Sequence, residues 1–132
     1  MAGQRSEWTR TTTRADRSLY ILHFSQRRVY VGQTKDPKRR WGEHRRGGWA
    51  ERPASMSLVL VAPNATEVEA EDYEYAIRLA AHWLGYAVFA QPPGYVIRRM
   101  QNITWRRRWM AWKLLGKVRR VLRGATCRPP SS

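Results

Sequence analysis

The sequence predicts a small α/β fold in which one sheet is covered by helices on both faces. Three observations predict it. Residues 19–24 and 29–33 are short β-branched and aromatic segments separated by a hairpin-length gap. Both faces of these strands are largely apolar, which suits a sheet buried on two sides. Two helix starts, at Asp36-Pro37 and at Thr66, flank a third strand-sized apolar block at 58–62.

At 132 residues the chain suffices for one core and is too short for two ordinary domains. We therefore expect a core over 18–94, a mobile basic arm over 1–17 and a basic helical extension over 95–132. The formal charge of +15 and the pI near 11.3 point to a polyanionic partner, because that much uncompensated charge opposes compaction. Nucleic acid is the first candidate and an anionic membrane the second. Of the 25 basic residues only four are lysine, and the planar fork of arginine suits bidentate phosphate contacts. Cys127 is the single cysteine, which excludes an intrachain disulfide and a cysteine-based zinc site and fits a reducing compartment. The longest apolar run, 58–62, is far short of the roughly 20 residues of a spanning helix. The N-terminus has no apolar signal core, so a cytoplasmic protein without stable membrane association is expected.

Taken in order, residues 1–17 are polar, rich in Thr and Arg, and without helical or strand periodicity; only Trp8 departs from this. Alternation in the first strand puts Tyr20, Leu22 and Phe24 on one face, with Leu19, Ile21 and His23 on the other. After the loop 25–28 and the second strand, Asp36 can cap a helix whose first position tolerates Pro37. That helix should run from Pro37 to about Arg46 and stop at Gly47-Gly48, with Trp41 as its buried anchor. Arg40 and His44, four apart, are neighbours on its surface. A Gly- and Pro-containing loop leads to the strand 57–62 and a turn at Pro63-Asn64. Thr66 and Glu69 then form a capping box for a helix running to about Trp83. Its first turns hold Glu67, Glu69, Glu71, Asp72 and Glu74, half of the ten acidic residues, and the helix macrodipole accounts for most of them. After Gly85 a last short strand is expected at 88–90, before a turn at 91–94.

From Tyr75 to Ser132 there is no acidic residue, against twelve basic ones. Residues 103–122 have helical spacing, through Trp105, Trp109 and Trp112 and then Leu115, Val118 and Leu122, with Gly124 and Pro129-Pro130 expected to end the helix. Packing of some tryptophans onto the core, with nucleic-acid contact by the arginines, is preferred over a membrane surface.

Ser18-Leu19-Tyr20, Tyr30-Val31-Gly32 and the continuation to Arg40, Trp41 and His44 resemble the GIY-YIG endonucleases over about residues 18–91. The resemblance implies a small α/β domain with a three-stranded antiparallel sheet between helices, and metal-dependent hydrolysis of a nucleic-acid phosphodiester. It implies Tyr20, Tyr30, Arg40 and His44 as catalytic residues, and a metal-binding glutamate after the third strand, best matched by Glu74 with Glu71 as fallback. Ser18 replaces the family's first glycine. The asparagine that many members carry near the end of the domain falls here on Ala87, Ala90 or Gln91, and Asn64 and Asn102 lie elsewhere.

The chemistry fits those residue types. Cutting a phosphodiester needs an activated water, a cation for the phosphoryl oxygens and help for the leaving oxygen. Arg40 supplies fixed charge, and Glu74 suits Mg²⁺ or Mn²⁺, since Mg²⁺ takes few carboxylates and several waters. Tyr20 is expected as base although only about one unperturbed tyrosine in a thousand is ionised at pH 7. Tyr30 would orient water or phosphate, and His44 would shuttle a proton. The structural alternatives are packing for the tyrosines, a Glu43 or backbone partner for His44, and an ion pair to Arg78 for Glu74. Gln33, Lys35, Lys38, Arg39, Arg45, Arg98, Arg99, Arg106, Arg107, Arg108, Lys113 and Lys117 are expected to contact nucleic acid, DNA rather than RNA. The rival expectation is a nucleic-acid-binding module on a catalytically degenerate copy of the same fold.

Overall fold

A computed structural model describes residues 6–90 and 94–127. Its sheet is built on β1 (Ala15–Phe24), which pairs antiparallel with β2 (Arg28–Thr34) on one side and with β3 (Ser55–Ala65) on the other. The expected antiparallel trio is present. A fourth strand, β4 (Ala87–Phe89), joins β2 in parallel, so the order is β3-β1-β2-β4 and the sheet is mixed. Three residues with ordinary alternation do not reveal their direction, which is why the parallel edge was not legible.

The first two helices are α1 (Glu7–Thr12) and α2 (Pro37–Arg46), and α2 has the bounds and the Asp36 cap expected of it. α3 (Glu67–Trp83) opens on a complete Thr66–Glu69 capping box, and α4 (Trp105–Cys127) follows the loop after β4. Residues 7–17, read as part of an arm, instead supply α1 and the start of β1. The side chain of Ser6 caps α1 at the Thr9 N–H, and Arg10 pairs with Glu71 on α3. The partners that order this segment lie some 60 residues away, where local periodicity carries no trace of them. β3 runs through the expected turn at Pro63-Asn64. Pro63 is tolerated because β3 is an edge strand, and Asn64 takes a positive φ of 46°. The expected turn at 91–94 and the end at Pro129-Pro130 fall largely outside the described residues, and Gly124 does not stop α4.

The two faces of β1 serve different layers, as alternation requires. Leu19 and Ile21 join Val29, Val31, Val59, Ile77, Ala80 and Val88 in the larger core beneath α3 and α4. Tyr20, Leu22 and Phe24 face the other way and join Phe89, with Tyr30, Trp41, Trp49 and Met56 packed around them. Against expectation, the tryptophans of α4 do not pack on the core. Trp105, Trp109 and Trp112 are 85%, 57% and 70% exposed, while Ala111, Val118 and Leu122 form the buried seam. The seam and the tryptophans both have helical spacing, so periodicity alone could not tell which stripe is inside.

The assignment has a direct check by thermal or denaturant unfolding. Leu122→Ala is expected to cost about 2–4 kcal/mol as a core truncation, whereas Trp112→Ala should stay within about 0.5 kcal/mol.

Candidate active site

The site is a cavity of about 750 Å³ lined by β1, β2, α2 and the first turns of α3. Tyr20, Tyr30, Arg40 and Glu74 all line it, together with Gln33, Lys35 and Arg39. These residues are dispersed over 55 positions of sequence, and three structural devices bring them together.

The first device is a missing side chain. Tyr20 on β1 lies opposite Gly32 on β2, and its ring crosses directly over the glycine. A Cβ built at Gly32 would stand 2.5 Å from Tyr20 Oη and 2.6 Å from Cζ, distances no real contact adopts. The second is α2, whose Asp36 cap and Pro37 start fix its entry and turn Arg40 and His44 toward the tyrosines. His44 Nε2 is 2.8 Å from Tyr20 Oη, and His44 Nδ1 is 3.1 Å from the indole Nε1 of Trp49. His44 therefore takes Tyr20 and Trp49 as partners rather than Glu43, which sits 3.6 Å from Arg40. The third is α3, which places Glu67, Glu71 and Glu74 along one wall at successive turns.

Burial dominates the electrostatics. It raises the Tyr20 hydroxyl far above the ordinary tyrosine range, with Tyr30 adding to the effect and Arg40 opposing it. Tyr30 is raised too, first by burial and then by Glu74, with Arg78 and Arg40 opposing. Glu74 is pushed up to about 7, by burial first, against Arg78 and Gln33, which favour the carboxylate. His44 is pushed down to about 4 by burial and then by Arg40, so the ring is neutral near pH 7.

Three buried side-chain atoms among the described residues have no hydrogen-bond partner: Gln33 Oε1, Arg40 Nε and Arg78 Nε. Buried polar atoms are almost always satisfied, so orphans at a cavity mark places where a ligand belongs. Gln33 and Arg40 both line the cavity. Its amide nitrogen donates to the Glu67 carbonyl at 3.1 Å, leaving Gln33 to present an oxygen. No three His, Cys, Asp or Glu side chains gather as a metal-holding group among the described residues. Glu74, a buried carboxylate on the cavity wall, is the kind of oxygen ligand that a hard divalent cation carrying several waters accepts. Glu71, the fallback, is tied to Arg10 of α1. Glu74 is also 3.7 Å from Arg78, so the expected i,i+4 ion pair exists beside the cavity.

The other residues singled out from sequence divide in two. Lys38 and Arg45 are exposed on α2, and the Arg45 guanidinium lies 5.8 Å from the Trp41 ring. Arg98 and Arg99 line a second cavity of about 500 Å³ with Tyr75 and Arg78. Arg106, Arg108, Lys113 and Lys117 are exposed on α4. Arg107 is instead committed to α3: it bonds Asp72 at 2.8 Å and lies 4.0 Å over Tyr75. Of the positions aligned with the family asparagine, Ala87 is in β4, Ala90 follows it, and Gln91 lies outside the described residues.

Three residues of the site carried no readable signal. Arg17, assigned to the arm, is buried in the cavity wall and donates to the carbonyls of Ala65 at 2.9 Å and Thr13 at 3.2 Å. Trp49 lies in an irregular loop, and its contact with His44 depends on the chain reversal at Gly47-Gly48, where φ is 149° and 93°. The carboxylate of Glu67 lines the cavity through the α3 register alone.

Residues 17–79 match the family model of the GIY-YIG catalytic domain. The matched span runs from β1 through most of α3 and contains Tyr20, Tyr30, Arg40, His44 and Glu74. No curated protein and no solved structure matches the chain. No helix among the described residues is long and apolar enough to cross a membrane.

Two tests follow from this geometry. Gly32→Ala should displace the Tyr20 ring, costing about 1–3 kcal/mol by overpacking; denaturant unfolding reads that loss, and an unperturbed Tyr20 ring environment by NMR would contradict it. Glu74 binds a proton more readily folded than unfolded, so its contribution to stability is present at low pH and lost as pH rises from about 4.3 toward about 7. In chelator-containing buffer, the Tm of Glu74→Gln relative to the parent should therefore rise between pH 5 and pH 8, by about 3 °C or more.

Proposed function

We propose that the chain is a divalent-metal-dependent endonuclease that hydrolyses phosphodiester bonds of nucleic acid, with DNA as the first substrate to test. The observation that carries this is the convergence of Tyr20, Tyr30, Arg40 and Glu74 on one cavity whose orphaned polar atoms include Arg40 Nε and Gln33 Oε1. A donor without an acceptor and an acceptor without a donor are what a bound phosphate and a bound cation would satisfy.

In this reading Arg40 holds a phosphate oxygen through its unpartnered Nε, in a site dry enough for the charge to count. Glu74 would hold Mg²⁺ or Mn²⁺, which when bound supplies positive charge for the phosphoryl and leaving oxygens. Glu74 is preferred over Glu71 because its pair with Arg78, at 3.7 Å, leaves burial dominant over its charge, whereas Glu71 is bonded directly by Arg10. Tyr20 draws a proton from the attacking water. Burial opposes the phenolate this requires, while Arg40 favours it. Tyr30, 6.3 Å from Tyr20 between ring centroids, orients the water or the phosphate.

Nucleic acid would be held by Lys35 and Arg39 at the cavity, by Lys38 and Arg45 on the exposed side of α2, and by Arg98 and Arg99 beside the second cavity. On α4 the exposed Arg106, Arg108, Lys113 and Lys117 stand next to Trp105, Trp109 and Trp112, a combination suited to backbone contact with base stacking. Arg107 is left out of this set because Asp72 and Tyr75 already occupy it.

A second reading is favoured by two observations: no asparagine stands at Ala87, Ala90 or Gln91, the alternative positions at which the family resemblance implies one, and Glu74 pairs with Arg78 at 3.7 Å. It makes the chain a nucleic-acid-binding module that has lost catalysis. The experiment is incubation of the purified protein with plasmid and with DNA and RNA oligonucleotides, with Mg²⁺, Mn²⁺ or chelator. Metal-dependent cutting should fall about 100-fold or more in Tyr20→Phe, Arg40→Ala and Glu74→Ala. Cutting that all three variants retain removes this site, and tight binding without cutting establishes the second reading.

A further inference from the structure

His44 touches two partners whose chemistry fixes where its proton sits. The indole N–H of Trp49 is a donor and nothing else. At 3.1 Å from Trp49 Nε1, His44 Nδ1 must present its lone pair. A neutral imidazole carries one proton, so that proton is on Nε2, 2.8 Å from Tyr20 Oη. Turning the ring over would put carbons against both Trp49 and Tyr20, so the two bonds also fix the ring's orientation.

We propose that Trp49 is a positioning residue that locks His44 in the Nε2–H tautomer and so makes it a hydrogen-bond donor to Tyr20 rather than an acceptor of its proton. The hydroxyl proton of Tyr20 is then directed away from His44, and the lone pair left on Oη faces the reacting groups. His44 in this role stabilises a phenolate on Tyr20 and does not shuttle its proton, which replaces the shuttle role expected from the chemistry of phosphodiester cleavage. An imidazolium would oppose a second N–H to that of Trp49, so the indole also favours the neutral ring.

Trp49 is well placed to enforce this. Its ring centroid lies 5.0 Å from those of Phe24 and Tyr30 and 6.0 Å from that of Phe89, so three aromatic side chains hold it against His44. The Gly47-Gly48 reversal brings it back over the helix end that carries His44.

The effect on cleavage rests on the Tyr20 reading above, but the tautomer is measurable without it. In long-range ¹H–¹⁵N spectra of the full chain, with the His44 signals assigned by His44→Gln, the parent should show a protonated Nε2 and a bare Nδ1 near neutral pH. A protonated Nδ1 there overturns the proposal, whatever the variants do. Trp49→Phe keeps the ring packing and removes the N–H; it should shift His44 toward the Nδ1–H form, and an unchanged tautomer overturns the proposal. In the cleavage assay Trp49→Phe should lower kcat about 10-fold with KM within about 2-fold, and should add nothing in a His44→Gln background. An equal loss in that background would assign Trp49 a packing role instead. If no cutting is detected while the parent spectrum is as expected, the endonuclease reading fails and the tautomer lock stands.

Discussion

The site depends on the contact between the Tyr20 ring and the bare backbone of Gly32. Tyr20 sits on the central part of β1, on the face opposite the main core, where a large ring would ordinarily project away from the sheet. With no Cβ on the neighbouring strand, the ring lies down across β2 on that same face. That brings Oη to the helix carrying His44 and into the cavity that also holds Arg40 and Glu74. The same burial that fixes the hydroxyl makes its ionisation costly, so position and reactivity oppose each other here and the surrounding positive charge has to offset burial.

Electrostatic fastening holds the walls around this contact. Arg10 reaches from α1 to Glu71 and lies 4.0 Å from Glu67, while Arg107 reaches from α4 to Asp72. Arg10 takes up Glu71 on the cavity wall and Arg107 takes up Asp72 beside it, which leaves Glu74 to neither of them. α3 is thus clamped at its acidic N-terminal half by cations from each end of the chain. Such pairs at half-exposed positions contribute little to stability individually. Their effect is on register, because they fix which glutamates face the cavity.

What the sequence made legible follows from where each signal is stored. The Asp36-Pro37 start, the Thr66–Glu69 capping box and the alternation of Leu19 to Phe24 are local, and each appeared at or within two residues of its expected place. The motif spacing tied Tyr20, Tyr30 and Arg40 to one cavity, and the register of α3 brought Glu74 to them. Arg17, Trp49 and α1 were missed because their roles depend on partners distant in sequence or on a loop path. The tryptophans of α4 were misplaced for another reason: on a cationic helix with two apolar stripes, hydrophobicity favours burying the larger one, whereas the tighter packing surface belongs to Ala111, Val118 and Leu122.

The length of α4 sets a scale for the whole molecule. Its 23 residues extend about 35 Å at 1.5 Å per residue. That is roughly the axial rise of one turn of B-form duplex. Only one side of the rod holds the core, through Ala111, Val118 and Leu122, so a basic, tryptophan-bearing and acid-free surface of that length stays open to solvent.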